Sequence, residues 1–431
     1  MTELERYAAA RLRFGQQHLS KTMVVWFIHS NRDMGTGRWV ALLQVDIAII
    51  GSGIAGASLA AALADTGLSV ALFDRRNEPL DTARGDHIQP AVQPLLARWG
   101  VLDAMLAAGA EYRAGTRWFD AQGSHVLTVP VPEIEGAASA FLFLNHEKIG
   151  QVLLDRACQS GAVNVAGISQ WEVERIDQGW RIDWCSDSAS SAVKCTLLVG
   201  ADGTASSLRQ RFDIPVERHR YQYPIAVLYG RQLAVPDART LDVYLGHERM
   251  ISMIPRTGGE TKVGFPVSSD EIAFWRNEPE ERLHERLFRW CPTAEFDSLA
   301  FGAIYPPVSQ KSGAYRGEGA LTLIGDARHA MHPARSMGMN TCFRVADQLA
   351  GLLGTLPPGF HEDAVRSLLK QFDAEFEAEL TPRLAENHAA GLQMDTITGA
   401  GFPDLVEQLQ RASENAGMLE AMALKAAGAK G

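Results

Sequence analysis

Residues 45–74 constrain the fold more than any other stretch. Val45-Asp46-Ile47-Ala48-Ile49-Ile50 is a short β-branched run that stops at glycine, the pattern of a buried strand. Gly51-Ser52-Gly53-Ile54-Ala55-Gly56 follows at once, then small and helix-forming residues from Ala57 to Thr66, with Gly67 where a helix C-terminal glycine belongs. Ser69 to Phe73 repeats the strand pattern and ends at Asp74. Strand, glycine turn, helix and strand in so short a span make a βαβ unit. Gly51 permits the tight turn, Gly53 lets a pyrophosphate approach the backbone, and Gly56 lets helix and strand pack closely. The helix start, with Ile54 and Ala55, offers unpaired N–H groups and the positive end of its dipole to phosphates. Asp74 stands where a carboxylate accepts ribose hydroxyls. The unit therefore predicts a bound dinucleotide, NAD and FAD fitting it equally well.

Composition sets the outer limits. With 431 residues, 46% of them apolar and 21% charged, the chain has room for two or three lobes and buries a core without disulfides or structural metal. Forty-one basic against 51 acidic residues give a net charge of −10 without a basic stripe, which disfavours nucleic acid and anionic membranes as partners. Cys158, Cys185, Cys195, Cys291 and Cys342 are scattered and form no CxxC pair. That argues against a disulfide framework or a zinc site and for a reducing compartment, the cytoplasm. The run Met23 to Ile28 is far short of the ~20 residues a membrane-spanning helix needs. Residues 1–44 read as an extension ahead of the fold without a signal-peptide pattern, and Met34 is a candidate start.

Further along, apolar spacing predicts helices over 90–108 and 146–159 and strands within 116–130, 163–184 and 192–200. Residues 221–268 carry short strands joined by Gly and Pro turns, the pattern of an inserted antiparallel sheet. Leu321 to Ile324 returns to the buried-strand pattern, and helices are expected over 361–393 and 403–427. The boundaries drawn from this are an extension (1–44), a first nucleotide-binding segment (45–210), a substrate sheet (211–310), a second nucleotide-binding segment (311–355) and a helical C-terminal region (356–431).

Two more motifs bear on the cofactor. Gly200-Ala201-Asp202-Gly203 follows a buried strand, although Asp-Gly alone is a common turn. Ile324-Gly325-Asp326-Ala327-Arg328-His329 runs on to His332-Pro333 and Gly338-Met339-Asn340, where a new helix start would present N–H groups to an anion. In these motifs and their order the chain resembles the class A, para-hydroxybenzoate hydroxylase-like, FAD-dependent monooxygenases. The resemblance implies an α/β fold: a Rossmann-like FAD-binding lobe, an inserted, mostly antiparallel β-sheet substrate lobe, and C-terminal helices. It implies that Gly51, Gly53, Gly56, Asp74 and the adjoining Arg75 hold the ADP half of FAD, that Asp202 serves the pyrophosphate region and NAD(P)H, and that Gly325 and Asp326 serve the ribityl chain. Arg84 matches an arginine that reaches the pyrophosphate. Gly338, Met339 and Asn340 match the helix start beside the flavin N1 and O2, and Pro333 matches the proline on the isoalloxazine face. The implied reaction uses NADH or NADPH and O2. By the same implication a flavin C4a-hydroperoxide would hydroxylate an aromatic or other electron-rich small molecule, and a monomer or homodimer is expected.

The chain departs from the family at Ser336, usually glycine, and at His146, usually arginine. His329 and His332 flank the flavin loop as candidate bases, with packing as the simpler role for each. Tyr229, Tyr244, Met253 and Phe265 are candidate substrate contacts on the inserted sheet. No metal set is expected. The carboxylates of 371–388 (Asp373, Glu375, Glu377, Glu379 and Glu386) read as a solvated helix face. A flavin-dependent halogenase is disfavoured, because Ile254-Pro255 is preceded by Met250 and Ser252 where that class has tryptophans. A reductase or oxidase of an isoprenoid or other natural-product intermediate, or a non-catalytic FAD binder, stays open on the same scaffold.

Overall fold

The computed structural model describes residues 29–32, 39–79, 85–187, 189–233, 240–399 and 401–429. Arg84 and Met34 lie outside the described residues. The strand expected at Val45 starts earlier, as β1 (Trp39–Ile50), and His29–Arg32 pairs antiparallel with its first residues. Two parallel neighbours flank it, β2 (Val70–Phe73) and β3 (Ser190–Gly200). Between β1 and β2 lies α1 (Ile54–Ala62), buried along almost its whole length. It has no polar face because the sheet and later helices cover every side of it. Helix α2 (His146–Gln159) packs against α1 and occupies the span that the spacing predicts. Val163–Val165 extends the sheet beyond β2, and the hairpin Ile168–Ile176 with Gly179–Ser186 extends it beyond β3.

The helix expected over 90–108 is interrupted. A 3-10 turn at Pro90–Val92 leads into helices Gln93–Arg98 and Leu102–Ala107. Gly100 between them has φ of +70°, a left-handed value that ends a helix turn.

The second lobe is a sheet of β4 (Ile225–Gln232), β5 (Thr240–Gly246), β6 (Arg249–Pro255), β7 (Thr261–Pro266) and β8 (Phe296–Tyr305), ordered β8-β4-β7-β6-β5. These strands pair antiparallel. Gly115–Phe119 adds a strand parallel to β5, and His125–Pro130 closes that edge. Two strands of this sheet therefore come from the part of the chain ahead of β3. One face of the sheet packs on helices Ile272–Asn277 and Glu280–Trp290, where Tyr244, Met253, Val263 and Phe265 meet Trp275 and Trp290. Ile254, Lys262 and Tyr229 lie directly opposite one another across β6, β7 and β4, so they share the other face.

The chain returns as β9 (Ala320–Leu323), parallel to β3, and passes through the Gly325 turn into α3 (Met337–Leu353), which packs on α1. Helix α4 (Glu362–Ile397) covers this lobe. The helix expected over 403–427 is two, Phe402–Ser413 and Ala416–Ala426, because Asn415 caps a new start by accepting from Met418 N–H (3.0 Å). Both pack on Leu127 and Val129 of the sheet lobe. No helix among the described residues is long and apolar enough to cross a membrane.

Candidate functional site

A cavity of about 850 Å³ lies where the two lobes meet. Parallel strands present their C-terminal ends at one edge of the sheet, so the turns after β1, β2, β3 and β9 converge there. Gly51, Gly53, Ile54, Ala55, Asp74, Arg75, Asp202 and Asp326 line it from these turns, and Pro333, Gly338 and Met339 line it from the head of α3.

The glycines divide by what needs them. Gly51 has φ of +103°, and a Cβ there would lie 2.3 Å from the Ala201 carbonyl oxygen. A Cβ on Gly56 would lie 2.0 Å from the Gly51 carbonyl oxygen. At Gly325, with φ of +58°, it would lie 2.4 Å from Ala55 Cβ, so the Gly-Asp turn packs directly on α1. These three are demanded by the protein's own packing. A Cβ on Gly53, by contrast, would meet only Arg76 Nη2, at 3.6 Å. The space beside Gly53 is open to the cavity, and no side chain caps the N–H groups of the α1 start that border it.

Asp74 accepts from Ser52 N–H (2.8 Å) and Arg76 N–H (2.9 Å) and pairs with the Arg76 guanidinium (3.1 Å). Burial pushes its carboxyl upward, but the Arg76 and Ser52 donors outweigh that and hold it below the usual range. Arg76 also lines the cavity and was not singled out by sequence. Asp202 uses Oδ2 to accept from Ser207 N–H (2.7 Å), while its buried Oδ1 has no hydrogen-bond partner among the described residues. A bare buried acceptor at a cavity wall fits a ligand donor. Uncapped helix starts at α1 and α3, the open cradle at Gly53 and the unmet Asp202 oxygen together suit an elongated dinucleotide.

At the other end of the cavity, Arg335 (φ +61°) and Ser336 (φ +51°) are both left-handed, which explains why glycine suits position 336. Asn340 does not line the cavity. Its Oδ1 accepts from Gln89 N–H (2.8 Å) and its Nδ2 donates to the His87 (2.9 Å) and Ser336 (2.8 Å) carbonyls. The side chain thus ties α3 to the His87–Gln89 segment. His329 is fully buried beside Phe376 and away from the cavity, with its pKa pushed down to about 3 by burial. His332 lines the cavity, and burial lowers its pKa to about 4. Its Nδ1 accepts from Ala334 N–H (3.0 Å), so the neutral ring carries its proton on Nε2. His146 places Nδ1 3.0 Å from the Gly85 carbonyl at the cavity wall.

The substrate candidates need correction. Tyr244, Met253 and Phe265 sit in the core between the sheet and its two helices, on the face turned from the cavity. Tyr229 is on the cavity-facing side but does not line it; its ring lies 4.9 Å from the Arg256 guanidinium. The sheet lobe instead contributes Ile254, Lys262 and Tyr305, followed by Pro307 and Val308. Beside them is a buried ion cluster that sequence did not reveal. Asp86 Oδ1 accepts from His146 N–H (2.9 Å) and so caps α2. Asp86 Oδ2 faces Lys262 Nζ at 2.5 Å and Arg256 Nε at 3.3 Å. Strand alternation separates Lys262 from Val263 and Phe265, but only the tertiary fold shows that its face meets a cavity.

The carboxylate run on α4 is more than a solvated face. Asp373 pairs with buried Arg328 (2.7 Å) and Glu386 with Arg335 (2.7 Å). Next to Glu386, Asn387, fully buried, accepts from His332 N–H (2.8 Å) and donates to the His332 carbonyl (3.0 Å). Helix α4 therefore fixes the loop that precedes α3.

Comparison with known proteins agrees with this geometry. The 3-amino-4-hydroxybenzoate 2-monooxygenase of Streptomyces cremeus is 26% identical over 358 residues, 80% of this chain and 85% of that one. The dialkyldecalin synthase of Streptomyces rugosporus is 24% identical over 369 residues, 82% and 74% of the respective chains. The solved p-nitrophenol 4-monooxygenase PnpA of Pseudomonas putida DLL-E4 shares the fold, with a TM-score of 0.74 at 15% identity over 90% of this chain and all of that one. Residues 44–381 match the family described as FAD binding domain, and the chain belongs to that family.

Proposed function

We propose that the protein is an FAD-dependent monooxygenase that uses NADH or NADPH and O2 to hydroxylate an aromatic or other electron-rich small molecule. The observation that carries this reading is the convergence on one cavity of the glycine turn, Asp202, Asp326 and the uncapped start of α3, opposite a mixed wall from a second lobe that includes Ile254, Lys262 and Tyr305. Bound FAD supplies the oxygen-activating chemistry; the chain supplies placement, electrostatics and exclusion of water. Gly53 and the α1 start receive the pyrophosphate, Asp74 and Arg76 border the adenosine ribose, and Asp326 orients the ribityl chain. The positive end of α3 at Gly338 and Met339 stabilises negative charge on the ring system. Pro333, Met331 and the sheet residues wall the reacting face from solvent. His332, neutral with its proton on Nε2, serves as a hydrogen-bond donor there rather than a base. We propose in addition a cytoplasmic protein, monomer or homodimer; the five free cysteines support a reducing compartment.

The test is twofold. Purified protein given NAD(P)H and candidate aromatic substrates should consume O2 and yield a product heavier by one oxygen atom. Undiminished turnover under strict anaerobiosis would sink the monooxygenase reading in favour of a reductase. Asp326→Ala should lose bound flavin by about tenfold or more in affinity while keeping its circular dichroism. A fully yellow, active variant would overturn the assignment of that carboxylate.

A further inference from the structure

His332 carries a polar atom that the protein itself leaves unmet. The residue is 1% exposed and lines the cavity from the loop ahead of α3. Its Nδ1 accepts from Ala334 N–H (3.0 Å), and a backbone N–H only donates, so the ring proton is on Nε2. Nε2 has no hydrogen-bond partner among the described residues, yet it is not sealed in, and it opens on the cavity. The rest of the residue is fixed. Asn387 holds its backbone N–H and carbonyl, and the Tyr221 ring lies 4.5 Å from the imidazole in an edge contact. Tyr221 is braced in turn by its hydroxyl on His388 Nδ1 (2.9 Å) and by Gly391 of α4, where a Cβ would lie 2.4 Å from the tyrosine ring. The Nε2–H is therefore pre-oriented, and a donor held in place binds an acceptor without paying to be ordered.

Position and charge narrow the ligand. The Ala330 carbonyl accepts from Gln310 N–H (2.9 Å) and the Pro307 carbonyl from Tyr221 N–H (3.3 Å). These bonds stitch the loop to the chain beyond β8, so His332 stands where the lobes join, with Met331, Pro307 and Val308 also lining the cavity, and not at the glycine turn. Among the described residues, the lysine and arginine side chains that line the cavity are Arg75, Arg76 and Lys262. Arg75 and Arg76 follow Asp74 at the ribose end, and Lys262 is closed off by Asp86 at 2.5 Å. No lysine or arginine is left at the junction to balance an anionic oxygen, and a carboxylate set against one neutral donor stays costly to bury. A carbonyl or neutral hydroxyl oxygen needs only one such donor.

We propose that His332 is a substrate-orienting residue whose Nε2–H donates to an uncharged acceptor oxygen, a carbonyl or un-ionised hydroxyl, on an aromatic substrate. This rests on the monooxygenase reading and names its substrate class.

The test uses FAD-loaded protein without NAD(P)H at neutral pH and follows binding by perturbation of the flavin spectrum. The probes are acetophenone, its oxygen-free isostere α-methylstyrene, and the anion benzoate. Wild type should bind acetophenone about tenfold tighter than α-methylstyrene, and tighter than benzoate. His332→Asn keeps an acceptor for Ala334 N–H but is too short to reach the cavity, so it should bring acetophenone and α-methylstyrene to within about twofold. His332→Gln, whose amide nitrogen takes the place of Nε2, should keep most of the preference. Each variant should hold one FAD per chain with an unshifted spectrum before any probe is added. The proposal fails if wild type prefers benzoate, shows no preference for the carbonyl, or binds none of the probes. It fails equally if His332→Asn keeps the preference, or if it loses FAD or shifts the probe-free flavin spectrum, which would make His332 a cofactor residue. Wild-type protein that cannot be loaded with FAD at all refutes the earlier reading instead.

Discussion

Gly51 and Gly53 stand in the same turn and carry separable constraints. At Gly51 a methyl group collides with the backbone of the β3 turn at 2.3 Å, and φ of +103° strains any other residue. Gly51→Ala should therefore destabilise the FAD-free protein by about 2–4 kcal/mol. At Gly53 the methyl group meets only the tip of Arg76, so Gly53→Ala should leave FAD-free stability within about 0.5 kcal/mol. It should weaken FAD binding instead. Denaturant unfolding and flavin titration of the two variants check this; a Gly51→Ala protein as stable as wild type would contradict it. The same scale shows why three substrate candidates miss. Neighbouring strand residues point to opposite faces, and Tyr244, Met253 and Phe265 have the parity of the helix-covered side. Lys262 and Ile254 have the other parity.

The flavin loop and the start of α3 form an element held from outside. Asn387 and Glu386 of α4 grip it on one side and Asn340 on the other. That grip sustains two successive left-handed residues without glycine, Arg335 and Ser336. Ser336→Gly should accordingly raise the unfolding free energy by about 1 kcal/mol, seen as a higher denaturant midpoint at unchanged slope. No gain would mean that the serine side chain makes up for its backbone cost. The elements themselves were legible wherever local rules decide them: α2 fills its expected span, and β1, β2 and β9 follow their short, largely apolar runs. They were misread where a single residue interrupts a periodic pattern, as Gly100 and Asn415 do.

At the scale of the whole molecule, buried neutral histidines make stability depend on pH. The folded protein keeps His332 neutral down to about pH 4 and His329 to about pH 3, whereas an unfolded histidine takes up its proton near its ordinary value. Between these limits the unfolded chain binds more protons, so stability falls as pH falls. Each histidine contributes a slope of about 1.4 kcal/mol per pH unit at most. Asp74 and Glu271, held below the usual carboxylate range, add a loss of the same sign at lower pH. Denaturant titrations from neutral to mildly acidic pH should show the decline, and His329→Leu should make it shallower. A flat profile would show that these rings are hydrated in the folded state.

The sequence by itself determined the βαβ unit, the three cofactor motifs and the existence of an inserted sheet, because each depends on short-range rules: strand alternation, glycine backbone freedom and helix starts. It also bounded the chemistry, since the motif order resembles one flavoprotein family. Only the tertiary structure decided which face of the sheet meets the cavity, that Asp86 joins Lys262 and Arg256, and that the α4 carboxylates brace the flavin loop. Those facts depend on strand register and on contacts between residues far apart in the chain. A buried lysine and a surface lysine look alike until the elements around them are packed.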